Sequence, residues 1–228
     1  MKEKETLLEK LGRYISMAGT AILMNLLFLA ACLPIVTIGQ AWCGLLGALR
    51  YNIRGEKWIQ GFKIGYKTRF LRGTAAWCIG LLAGMFLLND INHAMVNNAV
   101  VPLIGSCIMF AIAAMLLMSS LCLNVYIPTS VSDWIKNTVN LTIRGCLPLL
   151  VCAGLFWLPV LVALLWDVIF VFFEAGMIFL CAYFTLIALA TTMLMKDHLV
   201  WVLLEARATG TLTAEEGLMP SYDEEDGE

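Results

Sequence analysis

The stretch ISMAGTAILMNLLFLAACLPIVTIGQAWCGLLGAL, residues 15–49, decides how the chain folds. Its first part, Ile15 to Leu33, matches the roughly 20 apolar residues that a helix needs to cross a bilayer. Pro34-Ile35-Val36-Thr37-Ile38-Gly39 then interrupts it. Proline removes a backbone donor and clashes with the preceding turn, and glycine permits conformations that other residues avoid. Apolar sequence resumes from Ile35 to Leu49, glycine-rich and short. A helix over that arm rises only about 22 Å, against a hydrocarbon core of about 30 Å. The chain either crosses once here or enters and returns.

Charge chooses between the two. Lysine and arginine in short loops collect on the cytoplasmic side. The N-terminus carries Lys2, Lys4, Lys10 and Arg13, and the next linker carries Arg50, Arg54, Lys57, Lys63, Lys67, Arg69 and Arg72. Lys136 and Arg144 precede a later span, and Lys196 and Arg207 follow the last one. If residues 15–49 enter and return, all 15 cations lie on one face; a single crossing strands the N-terminal group on the other. The predicted fold is therefore all-α: a polytopic transmembrane helical bundle of three helical hairpins, with both termini cytoplasmic. It has five clear spans and a sixth that is short or re-entrant. Open backbone at membrane depth survives only when buried in protein or lining a cavity, so the return arm is expected to begin below the outer surface or to be re-entrant.

Composition supports a membrane location. The chain is 61% hydrophobic and 14% charged, where a soluble domain carries about a quarter charged residues. The expected organisation is a cytoplasmic segment at 1–14 and a membrane domain over 15–195. Its segments are 15–33, 35–53, 74–90, 100–126, 147–166 and 174–195. Amphipathic cytoplasmic linkers occupy 54–73 and 129–146. A juxtamembrane helix and an acidic tail, expected to be disordered, fill 196–228. Asp167 and Glu174 mark the tip between the last two spans, because a carboxylate at mid-bilayer costs on the order of 3 kcal/mol. Residues 15–33 exceed a usual signal core, and no A-x-A-like site follows them, so a cleaved leader is not expected.

Several residues are candidates for chemistry. Asn25 lies near the middle of the first span, where an interhelical hydrogen bond is the simpler reading; with Thr37 and Gln40 it could instead line a small polar pocket beside the helix break at Pro34 and Gly39. Trp58, Phe62, Tyr66 and Phe70 recur every fourth residue and share one helical face, flanked by Lys63 and Lys67. That pattern fits an interfacial helix with aromatics in the acyl boundary or a docking surface for a cytoplasmic partner. Ala76, Gly80 and Gly84 form a small-xxx-small ladder, suited to packing within the chain or to a homodimer. Asn89 to His93, with Asn97 and Asn98, read as a polar outer loop. Trp58-Ile59-Gln60 to Arg72-Gly73, and Trp134-Ile135-Lys136 to Arg144-Gly145, share a weak pattern. Eight cysteines lie singly with no CxxC pair, so neither a metal nor a cofactor is expected. No GxSxG, HExxH or GxxxxGK[ST] motif is present, and the chain is expected not to be an enzyme.

Leu33-Pro34-Ile35-Val36-Thr37-Ile38-Gly39, then Arg50-Tyr51-Asn52-Ile53-Arg54-Gly55 and the segment Phe62, Lys63, Tyr66, Lys67, Phe70, resemble the YesL-like family of bacterial integral membrane proteins, a domain of unknown function. The specific part lies between about Asn25 and Phe70; Gln40 stands where the family usually has proline. The resemblance implies a bacterial cell membrane and an accessory role beside sugar uptake and polysaccharide breakdown systems. The expected function is a non-catalytic accessory or scaffolding subunit linked to carbohydrate uptake. The alternative is a small-solute transporter or channel with its site at the first hairpin. Expected partners are the lipid bilayer, a sugar transporter or another membrane protein, and a second copy of the chain, with no nucleic acid.

Overall fold

A computed structural model describes residues 7–127, 130–165 and 176–208. All regular elements among them are helical. They are α1 (Leu7–Ala31), α2 (Ile38–Ile53), α3 (Trp58–Lys67), α4 (Phe70–Val96), α5 (Val100–Tyr126), α6 (Val131–Arg144), α7 (Cys146–Leu165) and α8 (Gly176–Ala208). A 3-10 turn, Ile35–Thr37, joins α1 to α2. The hairpin tip at Asp167 and Glu174, the first residues of the N-terminal segment and the acidic tail beyond Ala208 lie outside the described residues.

Helix α2 sits at the centre, buried without interruption from Gly39 to Leu49. It packs most extensively on α3 and also touches α1, α4, α5 and α8. Glycine makes this possible. A β-carbon added to Gly47 would stand 2.5 Å from the Gly61 carbonyl oxygen, and one on Gly65 would stand 2.5 Å from that of Cys43. The two backbones therefore meet directly, as small residues allow where lipid supplies no hydrophobic drive. Aromatic rings close the middle of the bundle: Trp42 meets Phe28 at 6.1 Å and Phe156 at 5.0 Å, edge to face, and Trp77 stacks on Trp157 at 6.3 Å.

Three helices among the described residues are long and apolar enough to cross a membrane: Phe70–Val96, Val100–Tyr126 and Tyr183–Val202. A fourth arises if α6 and the first part of α7, bent by 97° at Gly145, count as one span. That is fewer than the five or six expected from the sequence. Part of the shortfall lies in the first hairpin, where α2 has only 16 residues and the apolar part of α1 is Ser16–Ala31. Helix α2 rises only about 24 Å, less than the roughly 30 Å hydrocarbon core.

The hairpin also turns beside the interior of α4 rather than at its far end. The Trp77 indole N–H donates to the Ile35 carbonyl at 2.9 Å, and Trp77 lies about two turns into α4. Leu33, Ile35 and Val36 are exposed at 84%, 63% and 54%, so the turn shows an apolar surface. Its carbonyls are covered from within. The Thr37 hydroxyl lies 2.8 Å from the Ala31 and Pro34 oxygens, and the Thr37 N–H also donates to Pro34.

Helix ends follow local chemistry. After α2, Gly55 takes φ +79°, and the Gly55 and Glu56 N–H groups return to Asn52 and Tyr51, both at 3.0 Å. Asn98 plays the same part after α4 with φ +52°, and Ala99 N–H reaches the Ala94 carbonyl at 2.9 Å. Both are helix terminations closed by a left-handed residue. Asn89 to His93, expected in an outer loop, are the last turns of α4, and the connection shrinks to Asn97–Ala99. Polar residues there weaken a helix only slightly, and buried Ala94 anchors the extra turn. Helix α8 likewise runs through Lys196 to Ala208 without a break.

Helix α6 opens with a reciprocal cap in which Ser130 accepts from the Asp133 N–H at 3.2 Å and donates to its carboxylate at 2.7 Å. Trp134 then donates to the Ser120 carbonyl at 3.1 Å, and Thr142 meets Ser119 at 2.8 Å. Arginine on aromatic rings ties the same end of the bundle together: Arg50 lies over Tyr126 at 5.5 Å, Arg72 over Trp134 at 5.6 Å, and Arg144 over Trp201 at 3.3 Å. The two segments that share the weak tryptophan-to-arginine pattern thus touch, Arg72 of one against Trp134 of the other. The small-residue ladder packs within the chain, Gly80 against Leu117 and Gly84 against Phe110.

Candidate functional site

Polar groups gather where α2 starts, α3 ends, α4 starts and α5 ends. The last carbonyls of a helix have no intrahelical partner, and Thr68 stops α3 by taking an extended backbone. Gln40, fully buried near the start of α2, answers this from across the interface. Its amide nitrogen approaches the carbonyls of Gly65 at 3.2 Å, Tyr66 at 2.6 Å and Thr68 at 2.9 Å. Three acceptors can face only the donor end of an amide, so the chemistry settles its orientation. The Gln40 oxygen turns toward Gly73 and is buried without a hydrogen-bond partner.

Arg69 does the corresponding work for α5. It joins α3 to α4 in the left-handed region, φ 48° and ψ 46°, which costs a non-glycine residue about 1–2 kcal/mol. From there its guanidinium donates to the Ile127 carbonyl at 2.7 Å and reaches that of Asn124 at 3.4 Å. A cation at a helix C-terminus meets the negative end of the helix dipole. Burial and the nearby Arg72 lower its affinity for the proton, yet arginine stays charged at any physiological pH. Asn124 directs its amide nitrogen to the Cys43 sulfur at 3.7 Å, and that thiol lies 3.6 Å from the Leu121 carbonyl. The Asn124 amide oxygen and the Thr74 hydroxyl are buried without partners. Amides, hydroxyls, a thiol and a guanidinium thus meet here, most of their donors already directed at backbone carbonyls.

Of the expected pocket residues, Gln40 belongs to this junction. Thr37 closes its own turn, and Asn25 is fully buried in α1. The donors of Thr37 and Gln40 point to different segments and are occupied there. At the helix break, Gly39 lies against Trp77 and the Gly73 carbonyl, leaving no room for a side chain; Pro34 is exposed.

The aromatic stripe of α3 faces inward instead of outward. Phe62 is buried beneath Gly44, and Trp58 and Tyr66 are half-buried against the core. Phe62 stacks on Tyr66 at 6.1 Å, Tyr66 meets Phe70 at 5.7 Å, and only Phe70, already in α4, is exposed. Periodicity shows which residues share a face, but the glycine contact with α2 decides what covers that face. Lys63 and Lys67 remain exposed. Sequence reasoning missed Arg69, Gly73 and Asn124. Asn124 carried a usable signal, since an amide within an apolar span is an exception that needs a partner.

A family described as "Protein of unknown function, DUF624" matches residues 21–91. The matched segment runs from α1 into α4 and contains Gln40, Arg69 and Gly73. Neither a curated protein nor a solved structure matches the chain.

Proposed function

We propose that this chain is a multi-pass protein of the bacterial inner membrane, YesL-like in kind, and a non-catalytic accessory or scaffolding subunit linked to carbohydrate uptake. In this reading α4, α5, α7 and α8 cross the bilayer, and the first hairpin dips in and returns. All 15 cations then still fall on the cytoplasmic side with both termini, because a hairpin that turns back within the membrane leaves the charge distribution unchanged.

The observation that carries the scaffolding reading is the closed centre. Helix α2 is buried from Gly39 to Leu49, and the donors of Gln40 and Thr37 go to helix ends. A carrier needs polar groups available to its solute. Around α3, Lys57 at its N-cap and Lys63 and Lys67 within it are exposed, a surface suited to a cytoplasmic partner. The test is purification from native membranes with and without Lys63→Gln and Lys67→Gln. The expected result is that a transporter subunit accompanies the parent and is lost from the double variant at equal membrane abundance. Unchanged recovery, or no accompanying subunit at all, would refute the reading.

A second reading, a small-solute transporter or channel at the first hairpin, has one observation in its favour. The Gln40 and Asn124 amide oxygens and the Thr74 hydroxyl are buried acceptors without partners. Flux into liposomes holding the purified protein, abolished by Gln40→Leu, would favour it over scaffolding.

A further inference from the structure

Helix α6 carries an apolar stripe that the bundle leaves uncovered. Val131, Ile135, Val139 and Ile143 recur every fourth residue, and each is about half exposed or more, up to 69% at Ile143. The neighbouring flank of the same helix, Thr138, Leu141 and Thr142, is buried against the protein. Asn137, Asn140 and Asp133 take the remaining side.

Two observations say what covers the stripe. First, α6 meets α7 at 97°. If α7 crosses the bilayer, the axis of α6 lies nearly in the membrane plane at the end of that span. Second, the apolar surface continues across the bend. Ile143 is followed by Leu147 at 70% exposure, then Leu150 at 46% and Val151 at 48%, on a helix that has no charged residue. Arg144, between Ile143 and Leu147 in sequence, turns away onto Trp201, and Ser132 is the one small polar residue among the stripe; a surface that a membrane span shares and continues faces the same solvent as that span.

We propose that α6 lies in the boundary between acyl chains and headgroups, with Val131, Ile135, Val139 and Ile143 in the acyl region and Lys136 reaching the lipid phosphates. An in-plane amphipathic helix binds by its buried apolar area and by cations at headgroup level. Trp134 and Thr142 fix the other flank to α5, so the lipid surface holds the cytoplasmic end of the bundle through α6. The proposal concerns α6 rather than α3 and does not depend on any partner of the scaffolding reading.

The test uses the full chain, purified and reconstituted in vesicles of phosphatidylethanolamine and phosphatidylglycerol. A photo-crosslinking amino acid is placed singly at Val139, Ile143, Leu150 or Asn137, and adducts are identified by mass. Phospholipid adducts at Val139 and Ile143 comparable with those at Leu150, and none at Asn137, are expected. Adducts to a second copy of the chain, or loss of lipid adducts at Val139 and Ile143 while Leu150 keeps them, would overturn the proposal. Ile135 provides an independent position should one variant fail to accumulate.

Discussion

The amide oxygen of Gln40 stands where a β-carbon on Gly73 would have to be, so one residue's cap depends on the other's lack of a side chain. Gln40 belongs to α2 and Gly73 to α4, and the amide nitrogen of the same glutamine closes the end of α3. Three helices are thereby registered by one side chain.

Gly73→Ala is therefore expected to displace Gln40 and release the carbonyls of Gly65, Tyr66 and Thr68. The cost should be about 1–3 kcal/mol, that of leaving buried polar groups unsatisfied. Gln40→Met removes the same donors and should cost a similar amount. Thermal unfolding in detergent should show the double variant well short of the sum, as for residues acting through one contact. Full additivity would refute the link.

The α2–α3 contact makes a sharper distinction among glycines. Gly47→Ala and Gly65→Ala place a methyl group against backbone oxygens 2.5 Å away, which cannot rotate aside. Both variants should accumulate poorly and elute as aggregates. Gly105 has nothing within 4 Å of the same position, and Gly105→Ala should be neutral or gain about 0.5–1 kcal/mol in helix stability. Equal behaviour of all three in size-exclusion profiles would contradict the close approach.

Arg69 combines an unfavourable backbone with a favourable side chain, and two substitutions separate them. Arg69→Ala keeps the left-handed backbone and loses the contacts to Asn124 and Ile127; Arg69→Gly loses the contacts but relieves the backbone. Both should destabilise the protein, with the alanine variant worse by about 1 kcal/mol. Alanine equal to or better than glycine in denaturant unfolding would show that the backbone strain is absent.

Accessibility should distinguish the two apolar-to-polar turns. A thiol introduced by Asn98→Cys, between α4 and α5, should react with a membrane-impermeant reagent from the outer face. One introduced by Val36→Cys should react from neither face, although Val36 is 54% exposed, because the proposed topology turns that surface to lipid. The parent chain supplies the background from its own cysteines. Rapid labelling at position 36 from outside would restore a first hairpin that crosses fully.

Much of the architecture was legible in residue order. The apolar runs located α4, α5 and α8, and the shortness of Ile35 to Leu49 raised the question of a hairpin that does not cross. Helix α6 falls within 129–146. The candidate site was only partly visible: Gln40 stood out as a polar residue beside the break, but its partners lie in α3, α4 and α5. Arg69 and Gly73 had no local signal, since neither a left-handed arginine nor a methyl-sized vacancy beside an amide follows from periodicity.

By itself the sequence determined that this is a helical membrane protein, because transfer from water to lipid accumulates residue by residue and needs no knowledge of neighbours. Only the tertiary structure decided that the first hairpin turns beside the interior of α4 and which way the α3 aromatics face. Those outcomes rest on backbones meeting at Gly47, Gly61 and Gly65, and contact between distant segments is a property of the packed chain rather than of any one stretch.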